Sequence, residues 1–345
     1  MKRLLRNEQV ADRRNCIRDS MPSNLLRRIQ SIWTPPAFQG WGKTRNYFEG
    51  WYFKLVDVKG AHPLAFIPGI AWDEHGKGEA FLQVLDGAST KTTYIRYPVE
   101  DFRPEFGEFG LQLGGHQFGQ HFLSLNGDGW TGSIKFSEQF LWPVRWNSPG
   151  IMGWYAFVPA MECYHGIVAF DGGIQGQLEF QGQTYDFTGG RAYLEKDWGS
   201  SFPSSWLWMQ SNNFERAGIS IKTSVARIPW MTGAFVGFIG GLLVDGDLYR
   251  FTTYTGAQLK RAAVSDSEVI VEIEDRKRRL KIVSERAGAG ELVAPVAGLM
   301  EARVQESLSA NIHVRLEERS GGLIYEGTGK YGGLEVGGHY QELLT

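Results

Sequence analysis

Apolar and polar residues alternate with a period of two along much of this 345-residue chain, and short pairs containing Gly, Asp or Asn separate the alternating runs. The pattern predicts antiparallel strands joined by hairpins, because successive side chains of a strand point to opposite faces. The clearest example pairs residues 269–273 with residues 280–282 across a basic turn. Asp245-Gly246 is a typical hairpin turn, since both residues accept a positive φ at low cost. Further turns are predicted at residues 126–129, 171–173 and 320–322.

The spacing of these runs also predicts the domain organisation. Strands that recur about every 8–12 residues are typical of barrels and sandwiches, and the chain is long enough for two domains. Gly189-Gly190 divides the chain into halves of similar length and similar β character. We therefore expect an all-β protein with few short helices: a basic extension over residues 1–35 and two tandem antiparallel β-barrel domains over residues 36–189 and 190–345.

One amphipathic helical segment interrupts the β pattern near the start of the chain. Its apolar face carries Leu25, Leu26, Ile29, Ile32 and Trp33. A membrane-surface anchor is one interpretation. We favour a helix that braces or plugs a barrel, because two prolines at 35 and 36 end the segment after two to three turns.

Composition excludes several classes of protein. Residues 1–30 carry eight basic and three acidic residues, so the rest of the chain has a net charge of −7, which argues against a nucleic acid ligand. The apolar uncharged stretch of residues 228–244 contains a proline and four glycines and is too short for a convincing membrane helix. Cys16 and Cys163 predict no disulfide framework. We expect a cytoplasmic protein without a secretory signal, with peripheral membrane contact as an open alternative.

Common cofactor and metal motifs fail on inspection. Residues 42–44 resemble the end of a phosphate loop, but Ala37 occupies the position of its first glycine. A GxGxxG match at residues 327–332 is followed by no predicted helix, and no GxSxG elbow is present. The histidines show no tight ligand spacing; His116 and His121 are the nearest pair, and we favour no metal site there.

The first segment with chemical potential is residues 46–54, where Glu49 lies among five aromatic residues. In a strand, Glu49, Trp51 and Phe53 would share one face, with Phe48, Tyr52 and Lys54 on the other. A carboxyl group packed among rings has a raised pKa and could act as a proton donor. The alternative, slightly favoured, is that Glu49 pairs with a buried Lys or Arg and stabilises the barrel.

The second segment is residues 193–214. Alternation places Glu195 and Asp197 on one face, close enough for like-charge repulsion to raise one pKa, and places Trp206, Trp208 and Gln210 on one face as well. A neutral acid beside indole rings suits protonation of an electron-rich alkene, since the rings stabilise the resulting cation. A structural Asp–Lys pair beneath a Trp-rich core is an equally good interpretation.

Together these segments resemble the tocopherol cyclase family. The matching pieces occur in the family's order and extend over about residues 36–340: residues 47–53, 195–199, 202–203, 206–210, 292–295 and 334–338. The resemblance implies a two-domain lipocalin-like β-barrel fold, related in architecture to carotenoid hydratases. It also implies that the enzyme protonates the prenyl alkene of a prenylated hydroquinone and that the phenol oxygen captures the cation to form a chromanol, with no redox or metal cofactor.

The residues themselves suggest the roles within that reaction. Asp197 is the first candidate for the proton donor, followed by Glu195 and Glu49. The predicted substrate-binding residues are Trp51, Tyr52, Trp198, Trp206, Trp208 and Gln210. We expect no transit peptide of the kind found in the plant members and shorter loops than theirs, so the fold should transfer better than the substrate.

Three functions remain open at this point. The first is cyclisation of a prenylated quinol, and the second is hydration of an alkene, which shares the protonation step but uses water as the nucleophile. The third is a non-catalytic lipocalin-like carrier that holds an isoprenoid or lipid in its apolar interior.

Overall fold

The computed structural model describes residues 23–159, 161–230 and 232–345, and within them the protein is almost entirely β-structure. The predicted fold class is confirmed. The first half contains β1 Tyr47–Val56, β2 Leu64–Trp72, β3 Gly78–Asp86, β4 Lys91–Tyr97, β5 Phe102–Pro104, β6 Gly110–Leu113, β7 His116–Gly119, β8 Phe122–Gly127, β9 Trp130–Phe140, β10 Val144–Arg145, β11 Ser148–Pro149, β12 Cys163–Phe180, β13 Gln183–Asp186 and β14 Arg191–Gly199.

The second half contains β15 Ser205–Ser211, β16 Ile219–Trp230, β17 Gly233–Val244, β18 Asp247–Thr252, β19 Gln258–Val264, β20 Glu268–Glu274, β21 Arg278–Glu285, β22 Gly290–Val296, β23 Leu299–Glu318 and β24 Leu323–Gly338. The described α-helix is α1, Asn24–Ser31, and short 3-10 helices cover Val99–Asp101, Gly153–Phe157, Thr253–Thr255 and Tyr340–Leu343.

Two large antiparallel sheets contain nearly all of these strands. The first runs in the order β4-β3-β2-β1-β14-β12-β9-β8-β7-β6-β5, and the second in the order β18-β17-β16-β15-β24-β23-β21-β20-β19. In each sheet the two edge strands follow one another in the chain across a short connection. That connection brings the edges together, so each sheet curls into a barrel-like shape.

Several local predictions are confirmed by the strand register. β20 and β21 form the predicted hairpin, with Glu274 opposite Arg279. The turn between β17 and β18 has φ of 51° at Asp245 and 94° at Gly246, the positive values that favour these residues. The predicted turn at residues 171–173 is wrong. These residues lie inside the 18-residue strand β12, where the register with β9 shifts at a bulge.

The chain passes from the first sheet to the second at a different position from the predicted domain boundary. β14 begins at Arg191 but pairs with β1 and β12 of the first sheet. The chain therefore enters the second sheet between Gly199 and Ser205, about ten residues after the Gly189-Gly190 break. The division into domains at residues 189 and 190 stays a prediction.

Each sheet packs one face inward around its own apolar core. In β1, Trp51 and Phe53 point into the first core, while Phe48 and Tyr52 point out of it, so the predicted alternation is confirmed. In β15, Leu207 points into the second core. Both barrel interiors are filled with buried side chains, so the outward faces become available to pack against each other.

The predicted helix is present, but its apolar face is not its packing face. Leu25, Leu26 and Ile29 are 59%, 52% and 45% exposed. The helix instead contacts the segment before β1 through Arg27, whose guanidinium lies 4.6 Å from the ring centroid of Trp41. The leucines of the helix are therefore exposed, and its role as a brace or plug of the barrel stays a prediction. Residues 1–22 of the predicted basic extension, including Cys16, lie outside the described residues.

Candidate active site between the two sheets

A cavity of about 190 Å³ lies between the outward faces of the two sheets. Strands β1, β12 and β14 contribute to one wall, and β15, β23 and β24 contribute to the other. Most of its lining is aromatic or aliphatic. The titratable side chains that reach it are Tyr52, Cys163, His165, Glu195, Asp197, Glu306 and Glu335 and, near its edge, Tyr155 and Tyr254.

A histidine held between two carboxyl groups forms the polar centre of the first wall. His165 on β12 lies directly opposite Asp197 on β14 in the strand register. Its Nδ1 is 2.7 Å from Asp197 Oδ1, and its Nε2 is 3.3 Å from Glu195 Oε2. Alternation along β14 turns Glu195 and Asp197 toward the same side, as predicted. The alternation alone does not reveal that a histidine lies between them.

Hydrogen bonds fix the inner carboxylate of this cluster. The Tyr193 hydroxyl donates to Glu195 Oε2 at 2.6 Å, and the Trp208 indole N–H donates to the same oxygen at 3.2 Å. Tyr193 and Glu195 belong to the first sheet, whereas Trp208 belongs to the second. Glu195 therefore joins the two walls as well as contacting His165.

The charges of the cluster follow from these contacts. Burial and Lys222 act to lower the pKa of His165, but Asp197 and Glu195 outweigh them, so the pKa of His165 is raised. Burial acts to raise the pKa of Glu195, but His165, Lys222 and the Tyr193 hydroxyl outweigh it, so the pKa of Glu195 is lowered. Like-charge repulsion therefore does not raise the pKa of Glu195, because the imidazole lies between the two carboxyl groups.

Two glutamates that the sequence reasoning did not select lie on the second wall. Glu306 on β23 and Glu335 on β24 are directly opposite each other in the register. Burial, with Glu335 close by, raises the pKa of Glu306 well above its usual range. Burial raises the pKa of Glu335 to about 7, although the Trp206 indole N–H donates to it at 2.7 Å. The two carboxyl groups of the cavity with a raised pKa therefore belong to this wall.

Two buried lysines flank the cavity. The Lys54 ammonium donates to Gln210 Oε1 at 2.7 Å, and burial lowers its pKa to about 7. The Lys222 ammonium donates to Ser224 Oγ at 2.7 Å, and burial lowers its pKa to about 8. Both ammonium groups act on Glu195 through space, since its charge opposes the lowering of each pKa.

Glu49, the third predicted acid, lies elsewhere. It is fully buried inside the first sheet, 2.6 Å from the Lys196 ammonium. It also accepts hydrogen bonds from the Gln39 and Gly40 amides and the Tyr47 hydroxyl. Burial lowers the pKa of Lys196 to about 8, with Glu49 opposing. Glu49 is not among the described residues that line the cavity. The geometry is that of the alternative interpretation, a buried pair within the barrel.

The predicted substrate-binding residues divide into two groups of three. Tyr52, Trp206 and Trp208 line the cavity. Trp51 instead stacks on Phe109 inside the first sheet, with ring centroids 5.3 Å apart. Trp198 stacks on Tyr164 at 5.5 Å, and Gln210 lies farther along the face of Trp208 as the partner of Lys54. Strand alternation explains why Trp51 and Trp198 do not reach the space between the sheets, whereas Gln210 shares the outward face of Trp208 but lies beyond the cavity.

Among the described residues, His165, Glu195 and Asp197 are also the group that could coordinate a metal ion, since their ligand atoms lie within 4.8 Å of one another. His116 and His121 do not converge on one site. His116 Nε2 contacts Asp128 Oδ2 at 3.0 Å, and His121 Nδ1 contacts Gln139 Oε1 at 2.8 Å. Function without a metal or cofactor stays a prediction.

Comparison with known proteins bears on this site. Residues 125–338, more than half of the chain, match the model of the tocopherol cyclase-like family. The chain belongs to the tocopherol cyclase-like family. Similar proteins include a probable chloroplastic tocopherol cyclase of Oryza sativa subsp. japonica, which is 26% identical over 198 residues, and the chloroplastic tocopherol cyclase of Zea mays, 26% identical over 205 residues.

Each of these alignments covers 54% of the chain but only 42% and 41% of the rice and maize proteins, so the chain spans less than half the length of the curated relatives it matches. Among solved structures, CghA in complex with Sch210972 superposes with a TM-score of 0.53 at 11% identity, over 85% of this chain and 88% of CghA. That similarity concerns the fold alone. The family resemblance predicted from the sequence is confirmed.

The family's quoted motifs contain some of the site that sequence reasoning missed. Glu335 is the second residue of the matching segment 334–338. Its flanking glycines at 333 and 337 alternate with it, a pattern that indicates one crowded strand face. His165 and Glu306 carry no comparable signal, because each becomes part of the site only through pairing with a strand distant in sequence.

Proposed function

We propose that this member of the tocopherol cyclase-like family is an enzyme, an intramolecular cyclase that converts a prenylated hydroquinone to a chromanol. The observation that supports this most directly is the combination of an aromatic cavity with an imidazole that lies 2.7 Å from a carboxyl oxygen at its wall. An apolar site with one polar centre suits a hydrophobic substrate that must be protonated in a fixed orientation.

In the proposed reaction, the proton comes from the hydrogen bond between His165 Nδ1 and Asp197 Oδ1. Asp197 is the donor that faces the alkene: it takes the Nδ1 proton of the imidazolium and passes it to the alkene, which leaves His165 neutral and Asp197 as a carboxylate. Glu195 holds the other side of the ring and keeps the imidazole charged. Each member of the cluster thus has a separate task.

The aromatic residues of the second wall stabilise the cation. Protonation of a trisubstituted alkene leaves a tertiary carbocation, and the faces of indole rings attract positive charge. Trp206 and Trp208 line the cavity, and Tyr52 lies edge-on to Trp208 with ring centroids 5.6 Å apart. The phenol oxygen of the same substrate then captures the cation and closes the ring.

Anaerobic incubation of the purified protein with a phytylbenzoquinol tests this proposal. Cyclisation gives a product of unchanged mass with chromanol absorbance. A product heavier by one water would instead identify an alkene hydratase. Tight binding of the quinol without turnover would identify a carrier and contradict the proposed activity.

A pair of variants tests the role of the cluster. We expect Asp197→Asn to lower kcat by about 10²–10⁴-fold, the usual contribution of a general acid, with the fold intact by circular dichroism. Asp266→Asn makes the same chemical change at an exposed position between β19 and β20 and should leave kcat unchanged. Equal loss in both variants, or loss in neither, would contradict the assignment.

The expected setting of the reaction also remains a proposal. No helix in the described part of the chain is long and apolar enough to cross a membrane. We propose that the protein is cytoplasmic and that it meets its hydrophobic substrate by peripheral contact with a membrane, for which the exposed apolar side of α1 is the candidate surface.

A further inference from the structure

The cavity has a second polar site on the wall opposite His165. Glu306 is 1% exposed. Its Oε1 accepts a hydrogen bond from the Tyr52 hydroxyl of the first sheet. Its Oε2 is buried and accepts no hydrogen bond from an N–H or hydroxyl group of the described residues, and the Glu335 carboxyl group is in hydrogen-bonding contact with Glu306. Two buried carboxyl groups in contact need a proton between them or a donor from a ligand, so their retention in a cavity wall points to such a group.

The neighbouring strand is built to admit Glu335 beside it. A Cβ on Gly333 would come within 2.3 Å of the Trp208 ring, and a Cβ on Gly337 within 2.2 Å of the Trp206 ring. Because both positions are glycine, the two indoles lie flat against β24 on either side of Glu335. The carboxyl group is therefore placed between the two rings proposed to stabilise the cation.

The charges around the cavity indicate how many protons this pair holds. Four carboxyl groups, from Glu195, Asp197, Glu306 and Glu335, face three basic groups, from His165, Lys54 and Lys222. If all seven were ionised, one negative charge would remain uncompensated in a buried space, which is costly. One proton retained by the carboxyl groups balances the set. Glu306 and Glu335 are the candidates, because two carboxylates directly opposite each other in a sheet repel.

We propose that Glu306 and Glu335 form a carboxyl pair that shares one proton in the free protein, and that this pair binds the nucleophilic hydroxyl of the substrate and accepts its proton. The inference rests on the proposed function for the identity of that hydroxyl, the phenol of a prenylated hydroquinone. In this scheme the first wall of the cavity delivers a proton to the alkene, and the second wall accepts the proton of the hydroxyl group.

The steps balance as an isomerisation. At the first wall, the Nδ1 proton of the His165 imidazolium passes through Asp197 to the alkene as the alkene π bond breaks and a C–H bond forms, which leaves a neutral imidazole and an Asp197 carboxylate. The phenol oxygen then forms the new C–O bond to the tertiary carbon, and its O–H bond breaks as the proton moves to the ionised member of the pair. After product release, the Glu306/Glu335 pair returns one proton to solvent and His165 takes one up. No oxidant, reductant or metal enters.

Infrared spectroscopy tests the shared proton without reference to turnover. At pH 7 the protein should show the C=O stretching band of a protonated carboxyl group. We expect the band to disappear in the double variant Glu306→Gln/Glu335→Gln and to persist in Glu301→Gln, an exposed glutamate on the same strand as Glu306. Absence of the band from the wild-type protein, or its persistence unchanged in the double variant, would overturn the proposal.

Ligand binding tests the second part of the inference. A hydroquinone with a saturated alkyl chain cannot be protonated to a cation, so it reports on binding alone. Saturation with this probe should shift the carboxyl band, since its hydroxyl donates to the open oxygen of Glu306. An unchanged band at saturation would overturn the role of the pair in binding the hydroxyl.

Kinetics then separates this inference from the proposed function. With an active wild-type protein, Glu335→Gln should lower kcat by about 10²–10³-fold, and Glu335→Asp should restore part of it. If the variants of Glu306 and Glu335 turn over like wild type, the pair is not the acceptor although the cyclase proposal survives. If the wild-type protein does not turn over, the cyclase proposal fails and the infrared results still decide whether the pair shares a proton and binds a phenol.

Discussion

Replacing Lys196 with methionine should destabilise the protein by about 3–5 kcal/mol, the usual cost of leaving a buried charge without its partner. The Lys196 ammonium and the Glu49 carboxylate are both fully buried and 2.6 Å apart. The ammonium also donates to the backbone carbonyls of Pro35 and Ala37. Methionine keeps the length of the side chain, so the loss reports on charge and hydrogen bonding rather than on volume.

Two features of the structure act in opposite directions on the expected loss of stability. Glu49 would retain three donors, the Gln39 and Gly40 amides and the Tyr47 hydroxyl, which limits the cost of its lost ion pair. The two freed carbonyls add about 1–3 kcal/mol each only if water cannot reach them. We therefore expect a value near the middle of the range.

The assay is urea unfolding followed by tryptophan fluorescence, with the midpoint and the m value compared between variants. The double variant Glu49→Gln/Lys196→Met removes both charges and should recover at least 2 kcal/mol relative to Lys196→Met alone, which a double-mutant cycle measures. Asp197→Asn is the contrasting variant, since it should lose activity with little loss of stability. A Lys196→Met protein within 1 kcal/mol of wild type would refute the structural role. A Glu49→Gln protein that is stable but inactive would return Glu49 to the list of catalytic acids.

Three further results are expected. Burial raises the pKa of Glu335 to about 7 from an ordinary value of 4.5, so the contribution of the protonated Glu335 to stability is complete below about pH 4.5 and is lost as the pH rises through 7. Glu335→Gln should remove about 3 kcal/mol of this pH dependence of stability. Equal shifts of the urea midpoint between pH 4.5 and 7.5 in the wild type and the variant would contradict this. Gly337→Ala should cost about 1–3 kcal/mol and displace the Trp206 indole, visible as a changed near-ultraviolet circular dichroism spectrum; an unchanged spectrum would mean that the strand yields instead. Trp146 is 81% exposed beside Trp33, and Trp146→Ala should reduce cosedimentation with phosphatidylcholine–phosphatidylglycerol vesicles severalfold if this side meets membranes, whereas unchanged cosedimentation would exclude it.

Much of the fold could be predicted from local pattern. The turn at Asp245-Gly246 depends only on its own backbone preference, and the two faces of β1 follow from alternation. The bulge around Asp171 could not be predicted in the same way. A glycine pair after an aspartate is usual in turns, and only the pairing of β12 with its neighbours on both sides keeps the strand extended there.

The site was predictable on one side and not on the other. Glu195 and Asp197 are two residues apart in one strand, so alternation was sufficient to bring them together. Glu306 and Glu335 are 29 positions apart, and their pairing depends on the register of two long strands with several irregularities. The charge state of Glu195 also depends on His165, which arrives from β12. Sequence patterns predict faces, whereas electrostatics requires knowledge of which faces meet.

The position of the cavity bears on how such proteins acquire new substrates. Along β1, neighbouring residues have separate duties: Trp51 and Phe53 keep the barrel closed, and Phe48 and Tyr52 touch the space between the sheets. A substitution at an outward position leaves the close packing of the barrel intact, so selection can alter ligand choice with little penalty to folding. Lipid-binding barrels that carry their ligand inside lack this freedom, because there the same residues both pack the barrel and contact the ligand. A cavity at the interface of the two sheets lets its lining residues be substituted while the two barrels remain a stable scaffold.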